Sequence, residues 1–255
     1  MTQYLYILTG ASRGMGLAMA RQLLQPGNTL LCISRKVNET LALQSKQAGV
    51  NLLQWTQDLA QGAHTSARLE QWLREQPGGT SSDLFASATL INNAGMIPRI
   101  GPLSEADADD LSHALRVGLE APMHLTSAFL RATQDWTGLR RVLNISSGLG
   151  RRAMASQAGY CAAKAGMDHF TRCVALEEAL KTNGARLCSL APGVIDTGMQ
   201  AQLRAADSSA FPDQSSFVNL KTSGSLTSPE EAASRILSFL ARPDFGANAV
   251  ADVRD

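Results

Sequence analysis

A tyrosine and a lysine four positions apart carry the strongest chemical signal in this sequence. Tyr160 and Lys164 lie in a segment of helical pattern, where residues four apart share one face. A phenol titrates near pH 10, so proton exchange near pH 7 requires a pKa lowered by about three units, or roughly 4 kcal/mol. An ammonium about 4 Å away supplies up to about that much at an effective dielectric constant near 20. The pair therefore predicts an acid–base site in which Lys164 activates the Tyr160 phenol.

A serine precedes this pair at a strand end. Ser147 closes the predicted fifth strand, in the run Asn-Ile-Ser-Ser, thirteen residues before Tyr160. In a doubly wound sheet, ligands gather outside the carboxyl ends of the strands. We therefore expect the Ser147 hydroxyl to face the same crevice as Tyr160.

A glycine-rich turn follows the first apolar strand and opens the first predicted helix. Glycines permit a tight turn and let the backbone N–H groups at a helix N-terminus approach an anionic phosphate. The spacing of these glycines differs from the G-x-G-x-x-G fingerprint, so the turn alone also allows a ligand-free interpretation. The turn predicts nucleotide contacts from these residues: Gly10, Ser12, Arg13, Gly14, Met15 and Gly16.

The end of the second predicted strand bears on the type of nucleotide. An NAD-binding site usually places Asp or Glu there to hold the ribose hydroxyls, but this sequence has Ser-Arg-Lys at 34–36. A carboxylate would repel a 2′-phosphate, whereas Arg35 and Arg13 could pair with one. NADP(H) is therefore favoured over NAD(H). The alternative is that Arg35 and Lys36 are solvated loop cations.

Short apolar runs alternate with helical stretches along the chain, the rhythm of repeated βαβ units. The pattern predicts one α/β domain over 1–255, a Rossmann fold whose doubly wound parallel sheet of about seven strands carries helices on both faces. Ser228 and Pro229 predict the start of the last helix. Residues 197–227 show little pattern, and a loop of that length predicts a substrate lid. The strands are predicted at Leu5–Leu8, Thr29–Ile33, Leu52–Trp55, Thr89–Asn92, Arg141–Ile145, Arg186–Leu190 and Val250–Val253.

Composition and charge argue against several functional classes. The 255 residues include 23 Lys and Arg against 22 Asp and Glu, which is too balanced for a nucleic-acid binder. The N-terminus lacks the features of a signal peptide, and no run of about 18 apolar residues predicts a membrane helix, so we expect a cytoplasmic protein. The four cysteines form no C-x-x-C motif and the four histidines have no ligand spacing, which argues against a disulfide framework or a metal site.

Taken together, these motifs resemble the short-chain dehydrogenase/reductase family. The glycine-rich turn, Asn-Asn-Ala-Gly at 92–95, the Ser and Tyr-x-x-x-Lys set, and Pro-Gly followed by a threonine come in the family's order. The resemblance implies NADPH-dependent reduction of a small-molecule carbonyl. Tyr160 would protonate the carbonyl oxygen, Ser147 would orient it, and Lys164 would lower the phenol pKa and grip the nicotinamide ribose.

The same resemblance implies further nucleotide contacts. Thr197 and the backbone near Ile195 would hold the carboxamide, and Asp58 would meet the adenine, although these residues could equally be a strand-end turn and a helix cap. The additional positions are Asp58, Asn93, Ala94, Gly95, Pro192, Gly193, Ile195 and Thr197.

One position departs from the family pattern. Many relatives carry an active-site Asn in the fourth long helix, where this chain has Gly118. Pro122 has no N–H to donate to the Gly118 carbonyl, which predicts a kinked helix there. Our hypothesis is that this carbonyl holds a water near Lys164 and keeps a proton relay open in place of the missing Asn.

The C-terminal half resembles the sepiapterin-reductase branch of the family and its bacterial dicarbonyl-reducing relatives. That branch has an acid near the C-terminus that grips a pterin, and Asp252 matches the position, with Asp255 as a competitor. A carboxylate can accept paired N–H donors from an aminopyrimidinone. Asp252 is equally compatible with a solvated terminal carboxylate, and a benzil-type reductase needs no acid. The predicted substrate contacts are Ser147, Tyr160 and Asp252.

Two long predicted helices carry apolar residues on more than one face. They cover 107–132 and 157–181, and a homodimer or homotetramer joined through a helix bundle is the favoured expectation. Two alternatives to a dicarbonyl reductase stay open: another short-chain carbonyl or 3-oxoacyl reductase, and a non-catalytic NADP(H) sensor on the same fold. The intact Ser147, Tyr160 and Lys164 favour an enzyme, because a sensor needs no tuned phenol.

Overall fold

A seven-stranded parallel sheet forms the centre of the protein. The computed structural model describes residues 3–76 and 85–255. The strands lie in the spatial order β3-β2-β1-β4-β5-β6-β7, and every neighbouring pair is parallel. The chain reverses direction across the sheet between β1 and β4, the switch point beside which ligands bind in such folds. The strands are β1 Tyr4–Thr9, β2 Asn28–Ser34, β3 Asn51–Thr56, β4 Ser87–Asn92, β5 Leu139–Ile145, β6 Arg186–Ala191 and β7 Val250–Asp252.

Helices cover both faces of this sheet. Adjacent residues of β1 enter opposite cores: Leu8 packs with α1 and α9, and Ile7 packs with α3 and α5. This alternation is the period of two that a strand buried on both faces must have. The helices of the described chain are α1 Gly14–Gln22, α2 Glu39–Ala48, α3 Gly62–Arg74, α4 Ala108–Leu115, α5 Ala121–Ala132, α6 Ala158–Ala179, α7 Gly198–Arg204, α8 Gln214–Thr222 and α9 Pro229–Ala241.

The fold predicted from the sequence is confirmed. All seven predicted strands are present, and their ends lie within two residues of the predicted ones. The last helix begins where its signals predicted, because Pro229 is its first residue and the Ser228 side chain accepts a hydrogen bond from the Glu231 N–H. Within the described ranges, no helix is long and apolar enough to cross a membrane.

Residues 197–227 are more ordered than the predicted loop. The segment contains α7 and α8, and a β-bridge between Ile195 and Thr227 closes its base. Phe211 and Phe217 stack with their ring centres 5.6 Å apart, and both are buried. The sequence pattern missed the two helices because each spans fewer than ten residues, which leaves too few turns for an apolar period to emerge.

The helix interruption predicted at Pro122 takes the form of a π-helical turn. Residues Arg116–Glu120 form this turn between α4 and α5, and the Ala121 N–H donates to the Arg116 carbonyl five residues earlier. Pro122 lies in the first turn of α5, where its missing N–H costs little. The wider turn thus accommodates the proline while the two helices continue one another.

Candidate active site

The glycine-rich turn joins β1 to α1 at the carboxyl edge of the sheet. Gly10 and Gly14 have φ angles of +71° and +54°, in the left-handed region that favours glycine. A Cβ atom on Gly16 would lie 2.2 Å from the Gly10 carbonyl oxygen and 2.5 Å from Asn93 Nδ2. Any side chain at position 16 would therefore break the turn.

The N-terminus of α1 suits an anionic group. Arg13 stands at the capping position and, within the described chain, supplies no side-chain cap, and the first turn contains no acid. Arg13 and Gly14 are both exposed. Uncapped N–H groups and the helix dipole together favour a phosphate at this point, so the residues fit a dinucleotide.

Asn93 braces the turn. Its Nδ2 donates to the Thr9 carbonyl at 2.9 Å, while the backbone N–H groups of Asn93 and Ala94 donate to Thr9 Oγ1 at 2.9 and 3.0 Å. Sequence reasoning placed Asn93 and Ala94 among the nucleotide contacts and missed Thr9. In the structure these groups hydrogen-bond to one another, and they hold the ends of β1 and β4 together beneath the turn.

Two exposed arginines lie near the carboxyl edge of the sheet, one after β2 and one in the glycine-rich turn. Arg35 directly follows β2, and Arg13 lies in the glycine-rich turn, with its Nη1 3.9 Å from where a Cβ on Gly198 would stand. Among the described residues, neither guanidinium forms an ion pair with a carboxylate. Asp58 caps a short 3₁₀ turn by accepting from the Ala60 N–H at 3.0 Å, as its alternative role predicted.

Ser147 and Tyr160 meet at the carboxyl edge of β5. Ser147 begins a 3₁₀ turn, and its Oγ accepts from the Leu149 N–H at 3.2 Å. Tyr160 lies in the first turn of α6, close enough to Ser147 for the serine side chain to lower the pKa of the phenol. The two residues that sequence spacing had linked are thus neighbours at the edge of the sheet.

The pKa of Tyr160 is raised above its ordinary value, which corrects the expectation that Lys164 makes this phenol acidic. Burial is the largest cause, and it outweighs the hydrogen bond from Ser147, which lowers the pKa. Lys164 Nζ lies 5.7 Å from the centre of the Tyr160 ring and donates to the Ile145 carbonyl at 2.7 Å. The ammonium is therefore hydrogen-bonded to the end of β5 and does not interact with the phenol alone.

Lys164 is itself strongly perturbed. The side chain is 4% exposed, and burial lowers its pKa to about 8 while Asp168 opposes that shift. Its Nζ lies 3.6 Å from where a Cβ on Gly95 would stand, and the Met199 methyl lies 3.8 Å from the same point. Gly95 therefore keeps open a gap between the lysine and the segment after β6.

The segment after β6 closes on the glycine-rich turn. Thr197 stands at the N-terminus of α7, and its methyl group lies 3.9 Å from where a Cβ on Gly14 would stand. Gly193 has a φ of +84°, which turns the chain after Pro192. Ile195 is buried. The structure thus brings these four residues to the same edge as Lys164, Ser147 and Tyr160.

An apolar cluster lies beside Tyr160. Its buried members are Ile97, Leu203, Phe211 and Phe217, and Tyr160 packs against them together with Ile100, Met154 and Met199. Ile97 and Met154 are site residues that sequence reasoning missed. No motif marks them, because apolar residues in turns look alike whether they face a ligand or a core.

Asp252 is already paired. Its two carboxylate oxygens accept from Arg254 Nε and Nη2, each at 2.7 Å, and this contact is the main reason that the pKa of Asp252 is lowered. Asp255 instead accepts from the Asp252 N–H at 3.1 Å. The carboxylate predicted to grip a pterin is therefore neutralised by a neighbour two residues away.

Gly118 lies in the turn between α4 and α5, at the point where that turn packs against α6. It is buried in the π-helical turn, and a Cβ there would stand 3.3 Å from the Ala163 methyl, beside Lys164. The position leaves room for a small residue only. The water relay through the Gly118 carbonyl stays a prediction.

Comparison with known proteins identifies the family. The family model described as short chain dehydrogenase matches residues 5–208. The chain belongs to the short-chain dehydrogenase family. Members of this family bind a nicotinamide cofactor, so the protein is an oxidoreductase that acts on carbonyl or alcohol groups.

Named relatives point in the same direction. Benzil reductase ((S)-benzoin forming) of Bacillus cereus is 38% identical over 239 residues, covering 94% of this chain and 94% of the relative. Sepiapterin reductase of Meriones unguiculatus is 32% identical over 260 residues, covering 98% of this chain and 95% of the relative. The crystal structure of the KRED1-Pglu enzyme aligns with a TM-score of 0.81 at 25% identity, covering 98% of this chain and 100% of that one. These likenesses support carbonyl reduction by a short-chain dehydrogenase.

Proposed function

We propose that this protein is an NADPH-dependent reductase of ketones or vicinal dicarbonyls, with Ser147, Tyr160 and Lys164 as its catalytic residues. The observation that carries the proposal is the proximity of Ser147 and Tyr160 to a buried lysine, at the edge of the sheet that also carries the glycine-rich turn. A reduced nicotinamide, when bound, supplies the hydride. The protein must then orient the carbonyl and deliver one proton to its oxygen.

Tyr160 is suited to deliver that proton. Because burial raises its pKa, the phenol stays protonated at neutral pH and acts as an acid only when negative charge develops on a neighbouring oxygen. Ser147 accepts from the Leu149 N–H, which leaves its own hydrogen free to donate to the carbonyl oxygen or to the phenolate. The Lys164 ammonium stabilises the phenolate once the proton has left.

The site fits NADPH better than NADH. Arg13 and Arg35 are exposed, and the position after β2 offers a cation where an NAD-binding protein usually offers an acid. A 2′-phosphate would gain charge-assisted hydrogen bonds from either guanidinium.

The substrate side fits an apolar dicarbonyl better than a pterin. Phe211, Phe217 and Met199 pack around Tyr160, and Asp252, the residue that matches the pterin anchor, is paired with Arg254. The Bacillus cereus relative is named for benzil, a diaryl diketone. We therefore propose an aromatic vicinal diketone as the preferred substrate class, with residues 197–227 acting as its lid.

We also propose a homo-oligomer joined through α5 and α6. Leu176 of α6 and Leu180, which directly follows that helix, are 72% and 89% exposed, and Met123 of α5 is 45% exposed. Such side chains on two neighbouring helices suit a helix-bundle interface. Light scattering on the purified protein would give its mass in solution, and a monomer at micromolar concentration would contradict the interface.

One assay tests the function. NADPH oxidation with benzil is followed at 340 nm on the purified protein and on Tyr160→Phe, and benzoin is quantified by chromatography. We expect kcat/KM to fall by about 10²- to 10⁴-fold in the variant, because it loses only the acidic hydroxyl. Equal rates in the two proteins, or no benzoin from either, would contradict the proposal.

A further inference from the structure

A buried carboxylate lies one helical turn beyond Lys164. Asp168 is 2% exposed, on the same face of α6 as the lysine. Its Oδ1 accepts from Ser189 Oγ of β6 at 2.7 Å, and its Oδ2 accepts from Arg151 Nε at 3.1 Å. Both oxygens are therefore fixed by partners from other elements.

Arg151 extends this network to the Ser147 turn and to the last strand. It directly follows the 3₁₀ turn that Ser147 begins, and its Nη2 donates to the Ala251 carbonyl of β7 at 2.8 Å. Gly150 fits closely here, since a Cβ on it would lie 2.9 Å from Asp168 Oδ2 and 3.0 Å from the Lys164 carbonyl oxygen. One carboxylate thus joins the Ser147 turn, α6, β6 and β7.

We propose that Asp168 is a positioning residue for the active site, which keeps Lys164 in its ammonium form and fixes the Ser147 turn against the helix that carries Tyr160. The consequence for turnover rests on the proposed function. The effect on the charge of Lys164 does not, because it requires no substrate.

The electrostatic part of the proposal has a definite sign. Burial lowers the pKa of Lys164 to about 8, and the negative charge of Asp168 opposes that fall. Without the charge, the pKa of Lys164 drops further and the ammonium is lost at a lower pH. The alkaline limb of the kcat/KM profile then moves to lower pH as well.

Other groups near Lys164 contribute little charge. The Cys188 thiol of β6 lies close to Asp168 and Arg151, but burial raises its pKa to about 12, so it is neutral. Asp252 of β7 faces Arg151 but is paired with Arg254. Other neighbours in the described ranges include the Tyr160 phenol, the Ile145 carbonyl of β5 and the uncharged Gly95, while Arg116 and Glu120 of the π-helical turn are exposed.

The pKa of Lys164 can be measured directly. The chain contains five lysines, so NMR of protein labelled with ¹³C and ¹⁵N in lysine gives few side-chain signals, and Lys164→Met assigns the one from Lys164. In Asp168→Asn we expect the pKa of Lys164 to fall by about one unit, since a nearby opposite charge is removed. Ser189→Ala is the matched control, because it removes a partner of the same carboxylate without changing any charge, and its Lys164 should titrate as in the wild type. An unchanged Lys164 pKa in folded Asp168→Asn would overturn the proposal.

A second variant covers the case in which Asp168→Asn does not fold. Arg151→Met removes the cation that competes with Lys164 for the carboxylate, so the pKa of Lys164 should rise above its wild-type value. No rise would overturn the proposal. A shifted titration in a protein that reduces no carbonyl would contradict the proposed function alone, whereas active enzyme with an unshifted titration would contradict this inference alone.

Discussion

The glycine-rich turn, which we call the nucleotide side, and the apolar cluster beside Tyr160, which we call the substrate side, are built from different kinds of contact. On the nucleotide side, every contact involves the backbone: a Cβ at position 16 would lie 2.2 Å from the Gly10 carbonyl oxygen, and Thr9 forms three hydrogen bonds of 2.9 to 3.0 Å with Asn93 and Ala94. On the substrate side, the contacts are between apolar side chains of α7, α8 and the turns that face them. Backbone contacts allow almost no substitution, whereas an apolar cluster keeps packing when its members change.

This difference separates what the family shares from what sets one member apart. A turn with no room for a side chain at position 16 keeps one backbone shape, and such a shape suits the phosphates that all nicotinamide dinucleotides share. A cluster such as that of Phe211 and Phe217 can be reshaped for another substrate without disturbing the turn. Tyr160 connects the apolar cluster with the catalytic residues proposed above, because it packs against the cluster and lies beside Ser147.

The largest expected effect comes from adding one methyl group to the nucleotide side. In Gly16→Ala, the new Cβ would collide with the Gly10 carbonyl and with Asn93, so the turn must open. We expect NADPH affinity, measured by fluorescence titration, to weaken by at least about 100-fold, or roughly 2.7 kcal/mol. Gly101→Ala is the control, since a Cβ there has nothing within 4 Å. Unchanged NADPH affinity in Gly16→Ala would show that the turn does not hold the nucleotide.

A smaller effect is expected from reversing a charge at the edge of the same side. Arg35→Glu places a carboxylate where the 2′-phosphate of NADPH is expected and where NAD-binding proteins usually carry an acid. The ratio of kcat/KM with NADPH to that with NADH should fall by about tenfold or more, roughly 1.4 kcal/mol. Lys46→Glu makes the same charge change on the exposed surface of α2 and should leave the ratio within about twofold. A ratio unaffected by Arg35→Glu would assign cofactor preference to other residues.

The smallest effect is expected on the substrate side. Met199→Ala removes a half-buried side chain that lies between the apolar cluster and the gap at Gly95. Losing this contact should raise KM for benzil by about fivefold, roughly 1 kcal/mol, while NADPH affinity stays unchanged. Loss of NADPH affinity in this variant, with KM for benzil unaltered, would reverse the assignment of the two sides.

The sequence predicts the nucleotide side better than the substrate side for a physical reason. Tyr160 and Lys164 interact along one helix, and Gly10, Gly14 and Gly16 act within one turn, so their spacing in the chain records their geometry. Ile97, Met154 and Phe211 come together from three distant segments, and nothing in their local sequence records the meeting.

The electrostatics of the site are what the sequence predicts least well. Spacing placed Lys164 near Tyr160, but it could not show that the ammonium donates to the Ile145 carbonyl or that burial raises the pKa of the phenol. Nor could it show that Arg254 neutralises Asp252. Such balances depend on burial and on partners brought by other segments, which only the folded chain defines.

Transfer of deuterium from NADPH to the diketone tests the central claim most directly. NADPH carrying deuterium on one face of nicotinamide C4 is supplied with benzil, and the benzoin formed is analysed by mass spectrometry. If the nucleotide side delivers hydride to a carbonyl held at Ser147 and Tyr160, one of the two face-labelled cofactors should give benzoin with one deuterium at the carbinol carbon, and the other should give none. Unlabelled benzoin from both cofactors would contradict direct transfer across the cleft.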